Sequence, residues 1–509
     1  MKWIMDKYSR TKNTIRNLIY SLGSFTLTYG LSFVSRTIFI KTLNAEYLGI
    51  NGLFSNILSV LSLAELGIGG AFVSMLYKPI YENDIKTIKI LMNAFKKAYT
   101  FIGIFVGVSG VLLVPFLDKL IMGNKIENIT LIYLLFVFGS VVSYFCAHRI
   151  AYITANQRNY IVITYRQIFT ITQYFLQITL LVLTQNFILY LIAQIICTGT
   201  ANLLLSRKAI HMYPFLCEDS ERISGDLLIE VKRKIKAGFC LHTGHVIASG
   251  TDSLVIAKYI GIIFLGVYSN YILIIGIITN LIRLIFRAVS ASVGNLIVSN
   301  SNEKSYIVFL RMQFLSFILI GFTCSCLISL INPFISLWIG KAYTLTIPIT
   351  VLIVIIFYVG WDGIRNPVGI YKNASGLFYN DRWFALAEGI INVYLSVVLV
   401  QKIGIAGVFI GTIVSTQLTF WSGAVIVYKH LFCMPIWEYV KKYMLFGSMT
   451  AGTSATVYFT VQFIPHDSWP GFFLMSAMCV IMTGGIFVLL LHRTDEFKYF
   501  WNLVKKIID

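Results

Sequence analysis

A chain of 509 residues of which 57% are hydrophobic and only 12% are charged cannot cover its surface in water, because soluble globular proteins carry about 25% charged residues. The mean hydropathy of +0.78 instead indicates lipid as the surrounding solvent. The net charge of +19 does not indicate a nucleic-acid partner, because the basic residues lie in short segments between apolar runs and not on one basic face.

Apolar runs long enough to cross a bilayer core, about 20 residues each, recur along the whole chain. We therefore predict an all-α integral membrane protein with about 14 transmembrane helices. The predicted spans are 17–40, 49–76, 97–117, 129–153, 160–184, 187–206, 238–260, 264–287, 308–331, 346–364, 384–400, 404–428, 444–463 and 470–491.

The distribution of Lys and Arg predicts the orientation of these spans. If the N-terminus is cytoplasmic, the two tails and the even-numbered loops hold 34 of the 41 basic residues. The segments that would lie outside hold six, which are Lys41, Lys119, Lys125, Lys258, Lys341 and Lys402. The excess predicts a multi-pass membrane protein with both termini in the cytoplasm.

The two halves of the chain echo each other. Lys41 is followed after six residues by Leu48-Gly49, and Lys258 is followed after six residues by Leu265-Gly266, at an offset of 217. A similar pair of sequence matches occurs at the ends of spans 3 and 9, with nearly the same offset. We therefore predict two parallel six-helix repeats, which in transporters enclose a substrate site between them.

The repeat predicts four segments along the chain. Residues 1–206 form an N-lobe with helices 1–6, and residues 207–237 form a cytoplasmic connector. Residues 238–430 form a C-lobe with helices 7–12, and residues 431–509 add helices 13 and 14 with a cytoplasmic tail. The two lobes would surround a central cavity.

Three stretches resemble Wzx-type polysaccharide flippases of the MOP superfamily, which also contains the MATE exporters. Residues 35–53 (SRTIFIKTLNAEYLGINGL) and 63–69 (LAELGIG) are similar to the start of these flippases, and 371–377 (YKNASGL) is similar to the loop after span 10. The departure lies in span 7, where the pattern around His242 and His245 matches no known site and leaves their role open.

The resemblance covers essentially the whole chain and implies a function. It implies two six-helix lobes around a cavity that opens alternately to each side of the membrane. It implies an undecaprenyl-diphosphate-linked oligosaccharide as substrate, with spans 1, 2, 7 and 8 lining the cavity and cationic side chains meeting the diphosphate.

Charged residues inside spans are costly and usually face a cavity or a partner. Arg36 and Asp252 are predicted near the outer boundary, and Glu65 and Arg283 nearer the cytoplasm. We expect the bases to attract the diphosphate and the acids to carry a coupling proton or sodium ion. The predicted substrate-binding residues are Arg36, Arg283, Arg287, Lys41 and Lys258, and the predicted coupling or cavity acids are Glu65 and Asp252.

Structural roles are the alternative for each of these charges. The side chain of Arg36 could extend to the headgroups of the outer leaflet. Asp252 could have no role beyond neutralising the charge of Arg36. Anchoring by positive charge near the cytoplasm equally explains Arg283 and its neighbour Arg287. Arg149, Arg158 and Arg166 cluster around the inner loop after span 4, as a cytoplasmic entrance for the diphosphate or as a headgroup anchor. Glu388 is predicted to pair locally with Arg382.

The sequence lacks the motifs of common enzymes. It has no GxxxxGK[ST] phosphate loop, no HExxH and no Cys/His spacing for a metal, so we predict no enzyme, no metal and no cofactor beyond a coupling ion. The predicted partners are the lipid-linked oligosaccharide, membrane lipids and the polysaccharide polymerase machinery.

Two other functions remain open. A MATE-like ion-coupled exporter of cationic compounds would have a cavity dominated by acids, whereas bases are at least as numerous here. A membrane glycosyltransferase or polymerase would need a large external domain. The longest outer segments, about 118–128 and 332–345, are too short to form one.

Overall fold

A computed structural model describes residues 7–65, 68–117, 127–218, 225–299, 302–344, 356, 360, 362–375, 377 and 381–508. Within these residues all regular secondary structure is helical, which confirms the predicted all-α membrane fold. The chain divides into two compact units, Met1–Gly266 and Val267–Asp509. The predicted lobe and connector boundaries, and the repeat itself, stay predictions.

The described residues of the first unit form eight long helices and the start of a ninth, which continues into the second unit. They are α1 (Lys7–Thr42), α2 (Ala45–Leu61), α3 (Ile68–Glu82), α4 (Ile85–Leu112), α5 (Ile129–Ala155), α6 (Asn159–Thr184), α7 (Phe187–Met212), α8 (Gly225–Tyr259) and α9 (Ile262–Ser299).

The described part of the second unit contains the rest of α9 and seven further helices of at least nine residues. They are α10 (Asn302–Ile339), α11 (Asn366–Ala374), α12 (Arg382–Ile403), α13 (Ile405–Val427), α14 (Trp437–Val461), α15 (Trp469–Leu491) and α16 (Asp495–Ile508).

Nine helices in the described part of the chain are long and apolar enough to cross a membrane, and each coincides with a predicted span. They are Ile85–Phe116, Ile129–Ala155, Asn159–Thr184, Phe187–Met212, Ile262–Phe286, Asn302–Ile339, Trp383–Ile403, Ile405–Phe432 and Trp469–Leu491. The predicted spans 17–40, 238–260 and 444–463 fall largely within α1, α8 and α14. The span 346–364 lies mostly outside the described residues, so the total of fourteen stays a prediction.

The second predicted span, 49–76, is not one continuous helix. Helix α2 ends at Leu61, a 3₁₀ turn follows at Ser62–Glu65, and α3 starts at Ile68. The glycines Gly69 and Gly70 at the start of α3 disfavour an uninterrupted helix, since each costs about 1 kcal/mol relative to alanine. The break places Glu65 in a turn inside the bundle.

Aromatic and aliphatic side chains fill the interior of each unit. In the first unit Phe72 of α3 stacks on Phe95 of α4 at 4.5 Å. In the second unit Phe317 of α10 stacks on Phe446 of α14 at 4.2 Å. Large apolar side chains also cover the outside, with Phe463 82% exposed, as expected where lipid and not water surrounds the helices. The chain is a multi-pass membrane protein.

Candidate functional site: a polar cavity in the first unit

The first unit contains a cavity of about 480 Å³ with a partly polar lining. Helix α2 and the following turn contribute Ser55, Ser59, Ser62 and Glu65, and α7 contributes Gln194 and Thr198. Polar side chains at membrane depth usually face a cavity or a partner, because hydrocarbon cannot satisfy their hydrogen bonds. This cavity can therefore hold water or the polar part of a ligand.

A second cavity of about 410 Å³ adjoins the first and shares part of its lining, including Glu65 and Thr198. Helix α6 adds Arg166 and Gln173, and α7 adds Asn202. An acid and a base thus line the same space. An arginine can hold a phosphate through two parallel N–H donors, and the glutamate can hold a proton or a cation.

Two tyrosines position Glu65. The Tyr99 hydroxyl of α4 donates a hydrogen bond to Glu65 Oε1 at 3.1 Å. The hydroxyls of Tyr144 in α5 and Ser62 are hydrogen-bonded at 2.6 Å. Phe95 packs edge-on against the Tyr99 ring at 4.8 Å. The carboxylate therefore sits in a fixed group of hydroxyls, which can stabilise its charge or share a proton with it.

Helix α2 lies unusually close to α8 and to the start of α9. Asn56 Nδ2 donates to Ser253 Oγ at 2.8 Å. A Cβ on Gly49 would overlap the carbonyl oxygen of Ile262, and a Cβ on Gly266 would overlap that of Ala45. Gly49 and Gly266 are the two glycines of the predicted repeat, and each faces the carbonyl four residues before the other.

The predicted charges near the outer boundary lie elsewhere in the first unit. Arg36 of α1 lies within electrostatic range of Tyr190 in α7. Lys41 is exposed in the last turn of α1. Asp252 is half-buried in α8, and Lys258 lies in the last turn of that helix. Among the described lining residues of the two cavities none of these four occurs, so their roles stay predictions.

The other predicted basic residues have separate positions. Arg149 of α5 donates to Ser206 Oγ of α7 at 3.0 Å, and Arg158 lies immediately before α6. In the second unit Arg283 donates to Thr279 Oγ1 at 3.4 Å. The side chains of Arg287, His242 and His245 lie outside the described residues. The entrance and substrate-binding roles are therefore untested.

The second unit contains a buried polar network that the sequence did not predict as a whole. Lys372 pairs with Asp381, which also accepts a hydrogen bond from Ser422. Nearby, Thr419 donates to Glu388. Arg365 in turn donates to the same threonine hydroxyl at 3.0 Å. The predicted partner of Glu388, Arg382, has its side chain outside the described residues.

Sequence reasoning predicted Glu65 but missed the residues that surround it. Ser62 lies only three residues before Glu65, but Tyr99 and Tyr144 are common residue types in membrane helices and nothing in their spacing relates them to Glu65. Arg166 was predicted with Arg149 and Arg158 at the inner loop after span 4, but nothing in its position links it to a residue a hundred positions earlier.

Comparison with known proteins shows similarity at the level of fold. No protein-family model and no curated protein sequence matches the chain. Among solved structures, the inward closed conformation of the lipid II flippase MurJ matches with a TM-score of 0.63 at 15% identity, covering 93% of this chain and 100% of that one. An inward-facing multidrug resistance MATE family transporter of the MOP superfamily has a TM-score of 0.54 at 16% identity, covering 80% and 96%.

A third similar structure is a ligand complex of the MATE multidrug transporter DinF-BH. It has a TM-score of 0.59 at 16% identity and covers 85% of this chain and 98% of that chain. The fold is thus similar to that of the lipid II flippase MurJ and of these two MATE transporters. Identities of this size show the fold alone.

Proposed function

We propose that this protein is a flippase that moves undecaprenyl-diphosphate-linked oligosaccharides from the cytoplasmic to the outer leaflet of the bacterial inner membrane, for export of a surface polysaccharide such as capsule or O-antigen. Transport would proceed by alternating access of a cavity to each side. The observation that carries the proposal is the pair of adjoining polar cavities, lined by both Arg166 and Glu65, inside an apolar helix bundle.

Charge chemistry supports this substrate class. A diphosphate carries negative charge and many acceptor oxygens, and burying it in a membrane protein requires a cation with several donors. Arg166 offers such a group within the cavity. Arg36, Lys41, Lys258, Arg283 and Arg287 are proposed to guide the same headgroup during the transport cycle, and Arg149 and Arg158 to meet it at the cytoplasmic entrance.

The acids are proposed to couple transport to an ion. Glu65 lines both cavities, and its carboxylate accepts a hydrogen bond from Tyr99, so it offers a position for a coupling proton or cation inside the bundle. Asp252 is proposed as a second acid of this kind. The polysaccharide polymerase machinery would then use the translocated substrate.

A second candidate is a MATE-like exporter of cationic compounds. The similar fold of MATE transporters and the presence of Glu65 in the cavity favour it. The lipid II flippase covers 93% of this chain, whereas the two MATE transporters cover 80% and 85%, so the flippase fold accounts for more of the molecule. The two functions differ in the charge of the substrate.

Reconstituted vesicles can separate these candidates. Purified protein in liposomes is given a fluorescent undecaprenyl-diphosphate disaccharide, and translocation is followed by loss of signal to an impermeant quencher. We expect Arg166→Gln to slow translocation about tenfold, because a charge-assisted hydrogen bond to the headgroup is lost. The matched control is Arg207→Gln, an exposed arginine of α7 outside both cavities.

The opposite outcome is equally clear. If the same vesicles move a cationic rhodamine dye but not the lipid-linked disaccharide, the flippase proposal is wrong and the exporter alternative holds. Equal translocation rates for Arg166→Gln and Arg207→Gln would show that the cavity does not take part in transport.

A further inference from the structure

The C-terminal helix α16 follows the last membrane-spanning helix, α15, after a short turn. Leu489 of α15 is 73% exposed and Leu490 is 52% exposed, and His492 and Arg493 come soon after them. A change from exposed aliphatic to basic side chains within a few residues marks the boundary between the hydrocarbon core and the headgroups. Helix α16 therefore starts at the level of the lipid headgroups.

Apolar contacts fix one face of α16 to the rest of the unit. Phe497 and Phe500 pack against a cluster formed by Phe314, Phe317 and Phe487. The helix thus forms part of the folded unit and is not a free tail.

Two charged contacts fix the sides of the same helix. The guanidinium group of Arg311 in α10 lies 3.7 Å from the centre of the Tyr499 ring. Lys442 of α14 pairs with Glu496 at 3.1 Å. Contacts with three different helices hold α16 in one orientation.

An open pocket of about 530 Å³ lies between α16 and the end of α15. Val488 and Phe497 form its apolar wall, and His492, Lys498, Trp501 and Asn502 form its polar wall. Trp501 is 53% exposed, although its ring stacks on Phe497 at 6.1 Å. Lys498 supplies a cation and Asn502 an amide, next to an apolar wall that continues into α15.

We propose that this pocket binds one anionic glycerophospholipid of the cytoplasmic leaflet. Its phosphate would contact Lys498, His492 and Asn502, and one acyl chain would follow Val488 and Leu489 along α15. Trp501 would lie at the level of the glycerol backbone, in the interfacial region where tryptophan is enriched in membrane proteins.

Charge complementarity favours an anionic lipid over a zwitterionic one. The two acids of the first turn do not cancel the basic wall, because Glu496 is already paired with Lys442. Asp495 is fully exposed with its Oδ1 3.8 Å from Lys498 Nζ, a geometry that contributes little in water. Arg493, next to His492 in the chain, adds further positive charge. The inference depends on the membrane fold and not on the proposed substrate.

Tryptophan fluorescence of the purified full-length protein tests the proposal. Delipidated protein in a mild detergent is titrated with phosphatidylglycerol whose acyl chains carry bromine, which quenches a nearby indole. Since the chain has eight tryptophans, the Trp501→Phe variant identifies the component due to Trp501. We expect saturable quenching by the brominated phosphatidylglycerol that disappears in this variant, and a clearly weaker effect of brominated phosphatidylcholine.

Two substitutions on α16 form a matched pair. Lys498→Gln should weaken binding roughly fivefold, the usual contribution of one lysine near an anionic lipid, and Lys498→Arg should retain it. Lys505→Gln, on an exposed lysine of the same helix outside the pocket, should leave binding unchanged. Both side chains are exposed, so neither substitution should disturb folding.

Three results would overturn the proposal. Equal weakening by Lys498→Gln and Lys505→Gln would indicate diffuse attraction to the helix. Equal midpoints of the quenching titrations with brominated phosphatidylglycerol and brominated phosphatidylcholine would show that the pocket does not recognise the charge of the lipid headgroup. Displacement of the lipid by millimolar glycerol phosphate would reduce the pocket to a plain anion site.

Discussion

Glu65 illustrates what single residues reveal about this protein. Its sequence position, a charge inside an apolar run, was sufficient to predict a role inside the membrane. The structure adds the reason that the charge is tolerated, because Tyr99 donates to it at 3.1 Å and the Tyr144–Ser62 pair lies beside it. Those partners come largely from distant parts of the chain, so spacing could not identify them.

The substitution Glu65→Gln should remove the coupling between transport and the proton gradient, because an amide neither gains nor loses a proton. In the vesicle assay, we expect the translocation rate of this variant to be the same with and without a pH gradient. Glu82→Gln, on an exposed glutamate at the end of α3, should retain the response of the parent protein. A Glu65→Gln variant that still responds to the gradient would place the coupling site elsewhere.

Loss of Tyr99 should have a smaller effect than loss of Glu65. Tyr99→Phe removes one hydrogen bond to the carboxylate, which is worth about 1.5–3 kcal/mol when one partner is charged. We expect slower transport that remains sensitive to the gradient, because the carboxylate is still present but has lost one of its hydrogen-bond donors. The measurement is the rate of translocation with and without a pH gradient, and a rate equal to that of the parent protein would show that the tyrosine does not act on Glu65.

The buried pair Lys372–Asp381 allows a test of stability in the second unit. Asp381→Asn would leave Lys372 in a buried position without its counter-ion, a change that costs about 3–5 kcal/mol in other proteins. We expect a marked drop in the apparent melting temperature in detergent. The control Asp467→Asn breaks the ion pair with Lys341, in which the Asp467 side chain is 76% exposed and the Lys341 side chain 81% exposed. This substitution should leave the melting temperature unchanged. Equal melting temperatures for both variants would show that the buried pair contributes no stability.

At the scale of helices, hydrophobicity predicted most elements well. Runs of apolar residues gave nine helices that the structure confirms, since length and composition alone decide whether a helix can cross a membrane. Hydrophobicity could not predict the helix break between Leu61 and Ile68, because the residues between them are apolar enough to be counted as part of one span. Hydropathy measures transfer into lipid and contains no information on the local backbone.

The close approach of α2 to α9 depends on two glycines and makes a sharp prediction. Gly49→Ala would place a methyl group against the carbonyl oxygen of Ile262, so the two helices must separate. We expect a lower melting temperature together with slower transport. Gly52→Ala is one turn further along the same helix, where a Cβ would meet nothing within 4 Å, and should be neutral or slightly stabilising. If both variants behave alike, the close approach does not matter for stability.

At the scale of the whole molecule, three ion pairs each join two segments that the prediction places on the same side of the membrane, whichever side that is. Lys89 pairs with Glu218, and both belong to loops predicted to be cytoplasmic. Lys442 pairs with Glu496, again on predicted cytoplasmic segments. Lys341 pairs with Asp467 at 3.1 Å, and both lie in loops predicted to be outside. A span missed between the members of any pair would put its two charges on opposite sides of the membrane.

Sidedness itself can be measured with a thiol reagent that does not cross the membrane. Cys433 is exposed and follows the twelfth predicted span, so it should be cytoplasmic and protected in intact cells. Asp467→Cys introduces a thiol in the loop before the last span, which should be outside and react at once. After the cells are opened, both sites should react, as judged by mass spectrometry of the two peptides. Labelling of Cys433 in intact cells would show that the orientation is the opposite of the predicted one, and it would contradict the direction of transport proposed for the lipid-linked substrate.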